Sequence, residues 1–202
     1  MDSPYNWAAF DRMAQSGGFS GSTESLSGPG SNLDATKKLR PRLADMLRRL
    51  GVRSLVDAPC GDMNWMRHLN YPLEKFIGVD VAPFLIEKLR AQQFPPGYHF
   101  QVGNIVTDIL PTADAVFCRD CLVHLPFEAV LRVRDLWKAA GFKFMLVTTF
   151  AQKTANEDIP FGSWRPLNME IAPFHWQNPI ATVFEGYEEP PYQDKAIGVW
   201  AL

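Results

Sequence analysis

From Ser54 to Thr149 short apolar runs alternate with stretches whose apolar residues recur at helical spacing. Few folds accept that alternation. Strand, helix, strand in regular succession gives parallel strands joined by right-handed crossovers, with helices on both faces of the sheet. The runs Ser54–Ala58, Phe76–Val81, Tyr98–Val102, Ala113–Cys118 and Phe142–Thr149 are the expected strands, and the last has few charges, as a strand covered on both faces should. Between them Asp62–Leu69, Pro83–Gln92 and Phe127–Ala140 are the expected helices. Pro83 suits a first helical position, and Gly141 stops the third helix. After Phe150 the alternation fails. Residues 151–177 have no helical face and contain Pro160, Pro166 and Pro173, and then Ile180–Glu185 and Ala196–Leu202 read as two closing strands around the Pro190-Pro191 turn. The expectation is an α/β fold, a doubly wound and mostly parallel seven-stranded sheet with an antiparallel edge.

Residues 1–50 read as a separate cap. Asn32 or Asp34 is placed to start a helix that runs to Leu50, with Leu39, Leu43, Met46, Leu47 and Leu50 on one face and Gly51 at its end. Ahead of it, Ser16–Ser31 is rich in Gly and Ser and reads either as a flexible linker or as a lid over a ligand. Tyr5, Trp7, Phe10 and Met13 keep the spacing of a short amphipathic helix. The organisation expected is an N-terminal helical, Gly/Ser-rich cap over residues 1–50 and a ligand-binding α/β domain over 51–202.

Charge narrows the function. Lys and Arg total 20 against 22 Asp and Glu, a net charge of −2. That balance argues against a protein built to grip nucleic acid phosphates or an anionic membrane. No apolar run approaches the roughly 18 residues needed to cross a bilayer. The N-terminus is polar, with no signal peptide, and three cysteines suit a reducing compartment. The expected location is the cytoplasm.

In open α/β sheets ligands sit beyond the carboxyl ends of the strands. The first strand ends in Asp57-Ala58-Pro59-Cys60-Gly61-Asp62, and the second in Gly78-Val79-Asp80. A Gly-containing turn followed by a carboxylate at the next strand tip is a layout for a ribose diol, which can donate both hydroxyls to Asp80. A dinucleotide needs a turn with more glycines, and Asp62 would repel its pyrophosphate. That disfavours an NAD-linked dehydrogenase. Asp57 and Asp62 suit a ligand with cationic centres and no phosphate, such as S-adenosylmethionine, although Asp62 alone also reads as a helix N-cap.

These segments carry a resemblance. Leu55–Trp65 (LVDAPCGDMNW) resembles the first motif of class I S-adenosylmethionine-dependent methyltransferases. Ile77–Asp80 resembles their second, Val102–Ile105 their third and Phe117–Leu125 their fourth-strand motif, in family order and spacing. The resemblance implies a Rossmann-like methyltransferase fold of seven strands, the last antiparallel, and S-adenosylmethionine as cofactor. Residue by residue, it implies Asp57, Pro59, Cys60 and Gly61 at the methionine end and Asp80 on the ribose. It places Val81, Asn104 and Ile105 around the adenine, and Cys118 and Arg119 by the sulfonium. The chain departs from the family pattern in carrying Pro59 where Gly is usual and Asn104 where Asp is usual.

Methyl transfer to a hydroxyl or amine also needs a base. His124 and Asp120, just past the fourth strand, are the candidates, and His124 also reads as a residue that fixes the turn. Phe161, Trp164 and Arg165 lie where the alternation breaks and are expected to wall the acceptor pocket, Arg165 favouring an anionic group. Cys118 and Cys121 have redox spacing but sit after the wrong strand for it, and the four His show no zinc-site spacing. No metal site is expected. The Asp/Asn-Pro-Pro-aromatic tetrapeptide of nucleic acid amino-methyltransferases is absent. The function expected is O- or N-methylation of a small molecule or glycan, with no nucleic acid or membrane partner. The alternative is a binding or adaptor module that keeps the fold without catalysis.

Overall fold

The computed structural model describes residues 5–19, 22–176 and 178–202. Ser20 and Gly21, within the Gly/Ser-rich stretch, and residues 1–4 lie outside the described residues. The chain forms two compact units, residues 1–104 and 105–202.

The first unit opens with α1 (Ala8–Gln15), followed by α2 (Leu39–Leu50). The buried stripe of α2 is Leu39, Leu43, Ala44 and Leu47, and Gly51 ends it in the left-handed conformation (φ 64°), as its sequence requires. The helix begins later than Asn32 or Asp34 would place it. Residues 33–38 form turns instead, and Lys38 is the N-cap. Then come β1 (Ser54–Asp57), β2 (Lys75–Asp80), α3 (Pro83–Arg90) and β3 (Tyr98–Val102). The strands lie parallel in the order β3-β2-β1, pairing Asp57 with Gly78 and Asp80 with Val102. Their carboxyl ends therefore converge, as the alternation predicts. A Cβ at Gly78 would lie 2.6 Å from the Phe100 ring, so glycine leaves room for that aromatic over β2.

One expected helix is missing. Asp62–Leu69 is a turn followed by a single 3-10 turn over Met66–His68. Met63 takes a left-handed conformation (φ 60°), which a bulky residue adopts only under outside constraint and which stops an α-helix from starting there.

The second unit contains β4 (Ala115–Cys118), α4 (Phe127–Ala139), β5 (Phe144–Phe150), β6 (Ala181–Phe184) and β7 (Lys195–Ala201). Its strand order is β4-β5-β7-β6, with β4 parallel to β5 and β7 antiparallel to both its neighbours. Here α4 buries Ala129, Val130, Val133 and Trp137. Its N-cap, Pro126, offers no side-chain acceptor, and Asp158 supplies one from the irregular segment, its Oδ1 accepting from the Phe127 N–H at 2.8 Å. The seven strands, parallel except around β7, make this a Rossmann-like α/β fold. Among the described residues no helix is long and apolar enough to cross a membrane.

Candidate active site

In the first unit the site is the turn between β1 and Met66 together with the tip of β2. Asp80 is buried, and each of its carboxylate oxygens accepts a backbone hydrogen bond: Oδ2 from Gly61 at 2.9 Å and Oδ1 from Ala82 at 3.0 Å. Burial pushes the Asp80 carboxyl above its ordinary range, against the pull of the Ala82, Gly61 and Val81 N–H groups. Asp57 is likewise buried at the end of β1. Cys60 donates its N–H to the Val79 carbonyl at 2.9 Å, and burial, with Asp80 and Asp57 nearby, pushes its thiol up, so it is an inert packing group. Pro59 and Val81 are half-buried beside them, and Gly103, next to Asn104, donates to the Asp80 carbonyl at 3.0 Å.

The Ser-rich segment is fastened onto this turn. The Asp62 carboxylate accepts from Ser25 Oγ at 3.0 Å, the Leu26 N–H at 2.6 Å, Ser27 Oγ at 3.3 Å and the Asn64 N–H at 3.1 Å. Asn64 in turn donates to Glu24 at 2.7 Å and to the Ser31 carbonyl at 3.0 Å. Asp62 is therefore neither a helix cap nor a charge presented to a ligand. Gly61 has φ 55°, and a Cβ there would lie 2.1 Å from Ser27 Oγ, so the position requires glycine twice over. The aromatic helix α1 is tied in separately: Asp11 accepts from the Phe84 N–H at the start of α3 (2.9 Å), and Ala14 packs with Ala82 and Leu85.

The second unit gathers a charged cluster that the sequence did not reveal. Arg119 is buried and donates to Glu185 through two nitrogens, Nε at 3.0 Å and Nη2 at 2.6 Å. Asp120 Oδ2 takes Lys195 at 2.6 Å and Arg119 at 3.3 Å. Arg119 thus turns its guanidinium to Glu185. Although burial works the other way, Glu185 and Asp120 hold its guanidinium firmly charged. Burial would raise the Asp120 carboxyl, but Lys195 and Arg119 outweigh it and hold the group at about 2. Asp120 also has φ 55°, with its N–H bonded to Thr148 Oγ1 at 2.8 Å. Backbone held in this region by its surroundings is typical of functional positions. Glu185 and Lys195 lie 66 and 75 residues from their partners, and only their charge at the ends of apolar strands hinted at them.

His124 ends the 3-10 turn after β4, and its Nδ1 lies 2.9 Å from the Ser163 carbonyl. A carbonyl only accepts, so the proton sits on Nδ1 and Nε2 is the basic nitrogen. Burial lowers the His124 pKa despite the Ser163 bond, keeping the ring neutral. Arg165 corrects an expectation. It is buried and donates to the carbonyls of Glu157 (3.0 Å), Leu122 (2.9 Å) and Leu125 (2.5 Å). Its charge clamps the turn that carries His124 and is not offered to an anionic acceptor. Burial draws its pKa down to about 10. Phe161 is half-buried and Trp164 is exposed on the same segment, while Ile105 and Cys118 are buried. Among the described residues no three His, Cys, Asp or Glu side chains could hold a metal ion.

No protein-family model matches the chain, and no curated protein matches it. Solved structures do. The S-adenosylmethionine-dependent methyltransferase SibL, in its apo form, matches with a TM-score of 0.61 and 16% identity over 98% of this chain and 70% of that one. The methyltransferase domain of a bacterial CtHen1 matches with a TM-score of 0.58 and 15% identity over 85% of this chain and 100% of that one. Human N-acetylserotonin methyltransferase, crystallised with S-adenosylmethionine, matches with a TM-score of 0.59 and 11% identity over 84% of this chain and 54% of that one. The chain spans about half the length of the human enzyme. These likenesses define the class: the chain has the fold of the class I S-adenosylmethionine-dependent methyltransferases.

Proposed function

We propose that the chain is an S-adenosylmethionine-dependent methyltransferase that methylates a hydroxyl or amine of a small molecule or glycan. The observation that carries this reading is Asp80, a buried carboxylate at the tip of β2. It anchors the glycine turn through Gly61, and its carboxylate, with about four lone-pair sites, retains acceptor capacity for a ribose hydroxyl. A phosphate-bearing dinucleotide fits less well, because the buried carboxylates of Asp57 and Asp80 make the turn acidic. The residues that would hold the cofactor in this unit are Asp57, Pro59, Cys60 and Gly61 for the methionine end, Asp80 for the ribose, and Val81 and Asn104 for the adenine. When bound, S-adenosylmethionine supplies a methyl carbon made electrophilic by its sulfonium.

The chain's own chemistry is then positioning and proton removal. His124 takes the proton from the acceptor on Nε2, since Ser163 fixes the tautomer and burial keeps the ring uncharged. Asp120 is the weaker base, because Lys195 and Arg119 stabilise its ionised form. Its proposed part is to orient the acceptor. Trp164 and Phe161 are the proposed acceptor walls, on the segment that Arg165 ties to the His124 turn.

Calorimetric titration with S-adenosylmethionine, S-adenosylhomocysteine and NAD tests the reading. Micromolar binding of the adenosyl ligands that is lost in Asp80→Ala is expected. Binding of NAD alone, or of none of the three, would overturn it.

A further inference from the structure

In the second unit Trp164 is 40% exposed and Tyr192 is 39% exposed, and their rings meet at 5.7 Å in a T-shaped contact. Tyr192 continues to Tyr187 at 5.7 Å, and Trp164 stands edge-on to the buried Phe150 at 6.2 Å. A single exposed apolar side chain is ordinary. Adjoining exposed aromatics, backed by a buried one, form an aromatic surface that suits another π system.

The platform adjoins the charged cluster. Lys195 Nζ lies 5.4 Å from the centre of the Tyr187 ring and 2.6 Å from Asp120 Oδ2. Arg119, Lys195 and Glu185 are at most 5% exposed as side chains and satisfy one another, so they offer nothing to a ligand. Asp120 differs, with a side chain 30% exposed. Both cations reach it through Oδ2, so the ion pairs leave Oδ1 its acceptor capacity.

We infer that the methyl acceptor is a planar aromatic compound carrying a hydrogen-bond donor, its ring held by Trp164, Tyr187 and Tyr192 and its donor turned to Asp120 Oδ1. The word acceptor rests on the methyltransferase reading, whereas the binding preference does not. A glycan fits less well. Its many hydroxyls need many polar partners, and the charged groups beside the platform are spent on one another.

The test uses the full chain, with and without S-adenosylhomocysteine, and four probes read by calorimetry and saturation-transfer NMR. These are 2-naphthol, 2-methoxynaphthalene (no donor), decahydro-2-naphthol (no π face) and methyl β-glucoside. The expected result is that 2-naphthol binds at least tenfold tighter than the other three. Trp164→Leu and Tyr192→Leu, both at exposed positions, should each weaken it at least tenfold and leave S-adenosylhomocysteine binding unchanged. Equal binding of the naphthalene-frame probes, preference for the glucoside, no binding of 2-naphthol, or retention in both variants would overturn the inference. If 2-naphthol is preferred but no adenosyl ligand binds, the methyltransferase reading falls and the aromatic site stands.

Discussion

Ser27 and Asp62 hold each other twice. Ser27 Oγ accepts from the Asp62 N–H at 3.1 Å and donates to the Asp62 carboxylate at 3.3 Å. With Ser25 and Leu26 on the same carboxylate, one side chain fixes the course of a segment whose composition suggests a loose linker. Replacing Asp62 with Ala leaves those donors to water. Amide exchange across residues 22–33 is expected to rise at least tenfold, with little change in β1–β3. Unchanged protection of the segment would show that Asp62 does not hold it.

Gly61→Ala places a methyl group against Ser27 Oγ and forces alanine to φ 55°. The backbone term alone is about 1–2 kcal/mol. Denaturant unfolding should register that loss, and cofactor binding should weaken with it because the Gly61 N–H leaves Asp80. Adding Ser27→Gly is expected to recover the steric part and not the backbone part, which a double-mutant cycle separates.

Glu185→Ala takes away the bidentate partner of the buried Arg119 charge. Breaking one side of a buried pair typically costs about 3–5 kcal/mol, and the loss should appear as a lower urea midpoint. Asp120 Oδ2, at 3.3 Å from Arg119 and already held by Lys195, is a single longer contact and does not replace the bidentate one. A midpoint within error of the parent would mean that Arg119 finds another partner.

Arg165→Met removes the donors on three backbone carbonyls of the turn that carries His124. A stability loss of about 3 kcal/mol is expected from the lost charge-assisted bonds, although the Leu122 carbonyl keeps the Leu125 N–H. The larger effect should fall on kcat, with S-adenosylhomocysteine binding kept, because His124 loses its fixed position. A rise in KM for anionic acceptors alone would restore the acceptor-binding role that the sequence suggested.

Two pH effects follow from the carboxylates and the histidine. The ring of His124 must be neutral to act, and its pKa lies below the ordinary 6.5, so the acid limb of kcat/KM should fall below pH 6.5 and vanish in His124→Asn. Asp120 is held at about 2 against an ordinary 3.8. Its contribution to stability is therefore full above pH 3.8 and is lost as the pH falls from there through 2. Urea midpoints measured from pH 5 to 2 should show that decline, and Asp120→Asn should flatten it.

The strands and the Asp80–Gly61 pair were legible because both are local statements: apolar runs, a glycine, and a carboxylate at a strand end. The lost helix at Asp62 was not, since the groups that capture its carboxylate lie 35 to 37 residues upstream. Arg165 reads in sequence as a surface cation on a loop, and only the fold reveals that it is buried and spans the carbonyls of Leu122, Leu125 and Glu157. Tyr187 and Tyr192 carry no motif at all. Their meaning comes from the rings and the lysine they touch.

The position of β7 between β5 and β6 has a consequence for how the chain is made. Through the whole synthesis of residues 151–194, β5 presents an open edge on the side that β7 will fill, and β6 emerges with no strand to pair with. An unpaired apolar edge of that kind is where nascent chains associate wrongly. Lys195, which neutralises Asp120, is also the first residue of the strand that closes the gap, so the edge and the buried charge are covered in one step.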